Sequence, residues 1–307
     1  MQIEKLFSLT EALQKESLPF CKNEPLANHT TFQIGGPAAV FCRPETVVEL
    51  TQILELCRQL EVRSYVLGNG SNILFSDRGF DGVVISMRHV SSAMVVEPYG
   101  QESLIHVSAG TKLSALCNKA QKHGLSGLEF AYGIPGTVGG AVYMNAGAYG
   151  GELRDVLKDV TFLDESLHLQ TLPAYELDLG YRTSIFERKP WCIVEATVQL
   201  QTGTPQEIRD RMMDFMQRRR EKQPLEMPSA GSTFKRPTGA FAGQLIEQCG
   251  LRGFAVGDAM VSTKHCGFVV NRGHATCEDV IRLTDEVTRI VFEKTGYQLE
   301  REIRVVE

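Results

Sequence analysis

The sequence has no excess of positive charge and no charge-free apolar run suited to a membrane span. Its 32 Lys and Arg residues against 37 Asp and Glu residues give a formal net charge of −5, which excludes a broad basic field for non-specific nucleic-acid binding. Any anionic ligand must therefore be held by local groups.

Closely spaced cysteines are also missing. The eight cysteines are scattered, and no two lie within four positions of each other, which excludes a zinc-binding pair and a redox C-x-x-C motif. Most lie in apolar contexts, so we predict buried free thiols in a reducing cytoplasm. The histidines form no cluster with metal-ligand spacing, and we predict no catalytic metal.

Targeting and membrane segments are not apparent. The first twenty residues carry charges throughout and lack the apolar core of a signal peptide. Residues 130–151 have no charge, but their seven glycines argue against a spanning helix. We expect an ordered glycine-rich loop region there, no membrane insertion and a cytoplasmic protein.

The chain of 307 residues is long enough for two or three domains and mixes helical with strand-like patterns. The segment TPQE at 204–207 resembles a capping box that opens an amphipathic helix, and it suggests a domain boundary near residue 203. The other predicted helices are 46–60, 111–124, 243–248 and 276–294, the last closed by Gly296. The predicted strands are 64–68 (buried), 82–87, 104–107, 160–163, 192–200, 267–271 and 298–306.

Three segments rich in glycine, asparagine or serine are candidate ligand loops. LGNGSNIL at 67–74 can present backbone N–H groups to an anion, although an ordinary turn explains it equally well. GIPGTVGGAVYMNAGAYGG at 133–151 has a glycine density typical of backbone passing tightly against a cofactor, and the alternative interpretation is a flexible surface loop. The third is PSAGSTFKRP at 228–237.

Together these motifs, with others in the same order, resemble the UDP-N-acetylenolpyruvoylglucosamine reductase family. The additional motifs are NHTTFQIGG at 28–36, YRTSIF at 181–186, KHCGFVVN at 264–271 and LEREIR at 299–304. The spacing between YRTSIF and TPQE leaves no room for the long tyrosine-bearing insertion of one subtype, so the chain resembles the compact subtype.

The resemblance implies an α+β fold with a FAD-binding domain of the vanillyl-alcohol-oxidase type. That domain would span 1–203, in subdomains of about 1–86 and 87–203, and a C-terminal α+β substrate domain would span 204–307. The implied activity is reduction of UDP-N-acetylglucosamine enolpyruvate to UDP-N-acetylmuramate, a cell-wall precursor, with non-covalent FAD and NADPH. We expect a monomer or weak oligomer that binds this small-molecule substrate and no nucleic acid.

By the same resemblance, two glycine-rich loops and one arginine hold the FAD. The expected contacts are Gly68, Asn69, Gly70, Ser71, Asn72, Pro135, Gly136, Thr137, Gly139, Gly140, Gly147 and Arg219.

Three residues match catalytic positions of the family. Arg182 of YRTSIF would face the enolpyruvyl carboxylate, where a guanidinium can bind both oxygens. Ser232 would donate the proton to C2, and Glu302 would orient the enol. Without the motifs, we would interpret Arg182 as one member of a surface ion pair and Ser232 as a hydroxyl that stabilises a turn. Glu302 would be part of a solvent-exposed strand face.

The substrate contacts implied by the resemblance are Tyr149, Lys222, Arg236 and His265. Lys222 and Arg236 can neutralise the substrate diphosphate, although the long subtype has asparagine at the position of Arg236. The alternative role of Tyr149 is packing in the core. The alternative role of His265 is that of a hydrogen-bonded structural residue.

Two other functions stay open from the sequence alone. One is a different FAD-dependent oxidoreductase on the same fold, and the other is a non-catalytic flavin-binding module. The C-terminal motifs from AGSTFKRP to LEREIR argue against the first, and the presence of Arg182, Ser232 and Glu302 together argues against the second.

Overall fold

The structure is a computed structural model that describes residues 2–90 and 92–307. These residues form seven α-helices: α1 (Gln2–Lys15), α2 (Val47–Gln59), α3 (Leu113–Lys122), α4 (Val138–Tyr143), α5 (Pro205–Lys222), α6 (Ala242–Gln248) and α7 (Cys277–Thr295). They also form eighteen strands: β1 (Phe20–Pro25), β2 (Pro37–Cys42), β3 (Ser64–Leu67), β4 (Ile73–Phe75), β5 (Phe80–Ser86), β6 (Val95–Tyr99), β7 (Glu102–Ser108), β8 (Leu125–Ser126), β9 (Gly147–Ala148), β10 (Gly151–Glu152), β11 (Leu157–Leu163), β12 (Leu169–Pro173), β13 (Cys192–Thr202), β14 (Ser229–Ser232), β15 (Ala255–Val256), β16 (Ala259–Val261), β17 (Phe268–Asn271) and β18 (Arg304–Val306).

Most of these strands pair in an antiparallel fashion. One sheet has the order β12-β11-β13-β7-β6, with β8 also paired to β13, and another has the order β14-β17-β16-β15. A four-stranded sheet has the order β1-β2-β5-β3, in which β3 and β5 run parallel. The pairs β9–β10 (antiparallel) and β4–β18 (parallel) complete the set.

The chain divides into two compact units. The first unit comprises Met1–Cys21, Val40–Asn69 and Gly82–Arg218. The second unit comprises Lys22–Ala39, Gly70–Asp81 and Arg219–Glu307. This division differs from the predicted boundary at residue 203.

Helix α5 explains why the first unit extends beyond residue 203. Its residues Ile208 and Met212 are buried in the apolar core of that unit. Arg211 of α5 also donates to the Glu129 carboxylate at 2.7 Å, and Ser126 and the Gly127 N–H donate to the same group. Burial alone would raise the pKa of Glu129, but these hydrogen bonds outweigh it and lower the pKa, so the carboxylate is charged at neutral pH.

Local signals account for the longest helices. Thr46 caps α2 by accepting the Glu49 N–H, and the helix buries Leu50, Ile53 and Cys57 at helical spacing. In α7, Thr276 and Asp279 form a reciprocal capping box, and Gly296 ends the helix with φ of +75°. Val280, Leu283, Val287 and Val291 of α7 lie in the core of the second unit.

Three sequence predictions about secondary structure are wrong in part. Strand β3 is present but largely exposed, because it is an edge strand of its sheet. The glycine-rich region 130–151 contains the short helix α4, for which Thr137 supplies a cap that accepts the Gly140 N–H. The last run of the chain is a strand only over Arg304–Val306, with one isolated bridge between Phe234 and Arg301 before it.

The cysteine prediction is confirmed. All eight cysteines are free, and seven are buried, with Cys21 half-buried. Burial raises the pKa of the Cys57 thiol to about 12, so this group stays protonated and unreactive at neutral pH.

In the described part of the chain, no helix is long and apolar enough to cross a membrane.

Candidate active site

In the first unit, the turn after β3 packs closely against the glycine-rich loop. A Cβ at Gly68 would lie 2.6 Å from Thr137 Oγ1, so no other side chain fits there. Asn69 Nδ2 donates to the Pro135 carbonyl at 2.6 Å. Two of the segments predicted to bind FAD are therefore brought together by contacts between their own residues.

The loop itself is held against the end of β7. The Gly139 N–H donates to the Ala109 carbonyl at 2.9 Å, and a Cβ at Gly139 would lie 2.8 Å from the Ala109 Cβ. The Leu113 N–H, at the start of α3, donates to the Gly136 carbonyl at 3.0 Å. Close approach of neighbouring atoms thus explains the glycine at position 139.

These segments border a pocket of about 370 Å³ in the first unit. Its lining residues are Asn69, Arg88, His89, Gly110, Lys112 and Thr137. Asn69 and Thr137 are among the predicted FAD contacts. Arg88, His89, Gly110 and Lys112 were missed by sequence reasoning, although the glycine in SAGT after a predicted strand was a usable signal.

The lining fits a diphosphate-bearing cofactor. Arg88 and Lys112 bring two positive charges to the pocket of an otherwise acidic chain, and Asn69 and Thr137 add polar groups. The residues present therefore suit FAD.

Arg182 lies in a tight turn of the first unit, between Gly180 and Thr183. Its φ of +56° is unusual for a residue other than glycine. The side chain is half-buried, and its Nη2 donates to the Gly147 carbonyl at 3.3 Å. Two of the predicted site residues, Arg182 and Gly147, are thus in direct contact.

Tyr149 follows in the same loop, and the structure excludes core packing as its role. It is 41% exposed, and its ring stacks on Phe215 of α5 with centroids 4.7 Å apart. One face of the ring is therefore occupied by a residue of this chain.

In the second unit, residues 70–72 of the predicted FAD-binding turn contact the C-terminal segment. Gly70 has φ of +64°, and a Cβ there would overlap the His29 carbonyl, so only glycine fits. Asn72 Nδ2 donates to the Glu302 carbonyl at 3.1 Å, and the Arg304 N–H donates to the Asn72 carbonyl at 3.0 Å. Asn72 and Glu302 are therefore neighbours, although 230 positions separate them.

Ser232 stands at the end of β14, beside the same C-terminal segment. The pairing of β14 with β17 shifts register between Ser229 and Ser232, and Gly231 within the irregularity has φ of +77°. Ser232 is exposed, and the next residue, Thr233, accepts the Glu302 N–H at 2.8 Å. The backbone directly after Ser232 is thus hydrogen-bonded to the Glu302 backbone.

Ser229 and Glu300, which lie close in sequence to Ser232 and Glu302, have other contacts. The Ser229 N–H donates to the Thr31 carbonyl at 3.1 Å, and its own carbonyl accepts from Thr31 Oγ1 at 2.6 Å. Glu300 accepts from Lys235 Nζ at 2.5 Å in an exposed ion pair. Neither observation gives Ser229 or Glu300 a role beyond local structure.

The predicted substrate contacts of the second unit have mixed surroundings. Lys222 is exposed at the end of α5, and the Arg236 guanidinium lies 3.9 Å from the centre of the Phe241 ring. His265 Nδ1 accepts the Gly267 N–H at 3.1 Å, so the proton of the neutral ring is on Nε2. Burial lowers the pKa of His265, which keeps the ring neutral at pH 7. Arg219, a predicted FAD contact, is half-buried near the end of helix α5.

Metal binding has no support in the described ranges 2–90 and 92–307. No group of three or more His, Cys, Asp or Glu side chains there could hold a metal ion.

Comparison with known proteins defines the class of this chain. Residues 37–171 match the profile of a FAD-binding domain, and residues 223–306 match the C-terminal domain of UDP-N-acetylenolpyruvoylglucosamine reductase. The first match, together with the pocket of the first unit, defines a flavoprotein. The predicted fold class is confirmed.

Close relatives give the family. The UDP-N-acetylenolpyruvoylglucosamine reductase of Lachnoclostridium phytofermentans is 47% identical over 284 residues, which cover 92% of each chain. That of Agathobacter rectalis is 46% identical over 97% of each chain. The crystal structure of the Thermus caldophilus enzyme is similar with a TM-score of 0.76 at 36% identity, covering 94% of this chain and 99% of that one. The chain belongs to the UDP-N-acetylenolpyruvoylglucosamine reductase family.

Membership confirms several sequence predictions. The chain is an FAD-dependent oxidoreductase, and FAD and NADPH are the cofactors of this family. Another flavin oxidoreductase and a non-catalytic flavin-binding module are thereby disfavoured. The roles of the individual site residues stay predictions.

Proposed function

We propose that the chain reduces the enolpyruvyl group of UDP-N-acetylglucosamine enolpyruvate to the lactyl ether of UDP-N-acetylmuramate, with NADPH as the electron source. The observation that carries this proposal is the arrangement in the second unit of Asn72, Ser232 and Glu302. The Asn72 amide donates to the Glu302 carbonyl, and the Glu302 N–H donates to the carbonyl of Thr233, the residue after Ser232. FAD, when bound, supplies a hydride for C3 of the enolpyruvyl group.

The proposed roles of the chain's residues follow from the charge that appears on the substrate. Addition of a hydride at C3 leaves negative charge on C2 and on the adjoining carboxylate, and Arg182 stabilises that charge. Ser232 then donates a proton to C2, which completes the addition of one hydride and one proton. Glu302 orients the enol, and the polar lining of the first unit's pocket holds the cofactor diphosphate.

We also propose a cellular location and an oligomeric state for the protein. A cytoplasmic location agrees with the eight free cysteines, because an oxidising compartment would favour disulfides. We propose a monomer or weak oligomer, which analytical ultracentrifugation would test.

The anaerobic visible spectrum tests the overall reaction. We expect NADPH to bleach the flavin band of the purified protein and the enolpyruvyl substrate to restore it. A band that bleaches but does not recover would overturn the proposed substrate while keeping the flavoprotein class.

The pocket gives a second expected result, on cofactor affinity. Arg88→Ala and Lys112→Ala should each weaken FAD binding to the apoprotein about three- to tenfold, since each removes a positive charge at the diphosphate. FMN affinity should change less, because FMN lacks the adenylate half. Quenching of flavin fluorescence gives both dissociation constants.

Matched controls separate this effect from a general loss of charge. Arg209 of α5 and Lys122 at the end of α3 are exposed and do not line the pocket. Their alanine variants should bind FAD like the parent protein. If all four variants lost FAD affinity equally, the pocket would not be the diphosphate site.

A further inference from the structure

The backbone around Arg182 has a conformation that needs external support. The turn from Gly180 to Thr183, here called the Arg182 turn, is closed by the Gly180 N–H to Thr183 carbonyl bond at 3.1 Å and its reciprocal at 3.4 Å. Within it, Arg182 has φ of +56°, a conformation that persists in residues other than glycine only where the surroundings fix it.

Two buried side chains supply that support, one on each side of Arg182. Asn145 is 1% exposed, and its Nδ2 donates to the Gly180 carbonyl at 3.0 Å. Ser184 is 0% exposed, and its Oγ donates to the Tyr143 carbonyl at 2.8 Å. One bond thus holds the first residue of the Arg182 turn, and the other holds the residue directly after it. Both lead to the same short segment, Tyr143 to Asn145.

Asn145 is itself fixed by further bonds. Its Nδ2 also donates to Glu152 Oε2 at 2.6 Å, and its Oδ1 accepts the Arg154 N–H at 2.9 Å. Its φ of +40° is one that asparagine tolerates better than most residues. The same segment leads directly to Gly147, whose carbonyl accepts from the Arg182 guanidinium.

We propose that Asn145 and Ser184 are positioning residues, which hold the Arg182 guanidinium where the substrate carboxylate binds. This inference rests on the proposed role of Arg182. A displacement of about 1 Å of a catalytic group can cost about 10²-fold in rate, so two short buried bonds matter far more to the rate than to the fold.

The test uses Asn145→Gly and Ser184→Ala in the FAD-loaded enzyme. Glycine at 145 tolerates the positive φ while removing the side-chain bonds, and Ser184→Ala removes one bond if the first variant fails to fold. We expect substrate-dependent flavin reoxidation to slow about 10- to 100-fold. We expect NADPH-dependent reduction and the FAD dissociation constant to stay within about twofold of the parent values, because neither needs Arg182.

A control and a double-variant cycle exclude a merely structural effect. Thr10 is 5% exposed and donates to the Phe7 carbonyl at 2.9 Å, so Thr10→Ala removes a comparable buried bond far from Arg182 in the sequence. It should leave reoxidation unchanged. In an Arg182→Ala background, the Asn145 and Ser184 substitutions should slow reoxidation no further.

Three results would overturn the inference, and they are distinguishable. Equal slowing of both half-reactions, or an undiminished effect in the Arg182→Ala background, would show that Asn145 and Ser184 do not act through Arg182. Reoxidation at the parent rate in Arg182→Ala alone would instead remove the proposed role of Arg182, and the inference with it.

Discussion

Ser232→Ala is expected to slow substrate-dependent reoxidation of the flavin by about 10²- to 10⁴-fold, the usual range for a lost general acid. Reduction by NADPH should proceed at the parent rate, because the proton is needed only after C3 of the substrate has accepted a hydride. Anaerobic stopped-flow spectroscopy measures the two half-reactions separately. Because Ser232 is exposed at a strand end, alanine there should cost little folding free energy.

Ser229→Ala is the matched control, since the two serines belong to the same short strand. The contacts of Ser229 with Thr31 involve its backbone N–H and carbonyl, which alanine keeps. Its reoxidation rate should stay within about threefold of the parent rate, because the substitution keeps these backbone bonds. Equal slowing of both half-reactions in Ser232→Ala would refute the role of proton donor.

Local signals made the long helices predictable. Thr46 and Thr276 cap α2 and α7. The apolar residues after each cap recur at helical spacing, and this pattern can be recognised in the sequence without knowledge of the tertiary contacts. Helix α4 was not predicted, because its glycines have low helix propensity and only its packing, with Val138 and Val142 buried, offsets that cost. The exposure of β3 depends on its edge position, which follows from pairing with β5 and not from its own residues.

The site was predictable in composition but not in arrangement. Glycine-rich loops and matched motifs predict site roles for Asn72, Ser232 and Glu302, but the contact between Asn72 and Glu302 joins residues 230 positions apart. No local pattern encodes such a contact. Arg88 and Lys112 were missed for a related reason, since a single basic residue in a loop is usually a solvated surface group until the fold places it beside a pocket.

Removal of the Arg182 side chain gives the second large effect. Arg182→Ala should slow reoxidation by the substrate about 10²- to 10³-fold, in line with the loss of a preorganised donor to a developing oxyanion. Arg182→Lys should recover only part of this rate, because an ammonium group keeps the charge but cannot bind two carboxylate oxygens in one plane. NADPH-dependent reduction should be unaffected in both variants.

Added guanidinium ion distinguishes a missing charge from a disturbed loop. If Arg182 stabilises charge on the substrate, millimolar guanidinium should partly restore reoxidation in Arg182→Ala and should do nothing for Ser232→Ala. Arg188, six positions along and paired with Asp178 on the surface, is the matched control, and Arg188→Ala should react like the parent enzyme. Parent-like reoxidation in Arg182→Ala would mean that the buried support of its turn serves the fold and not the substrate carboxylate.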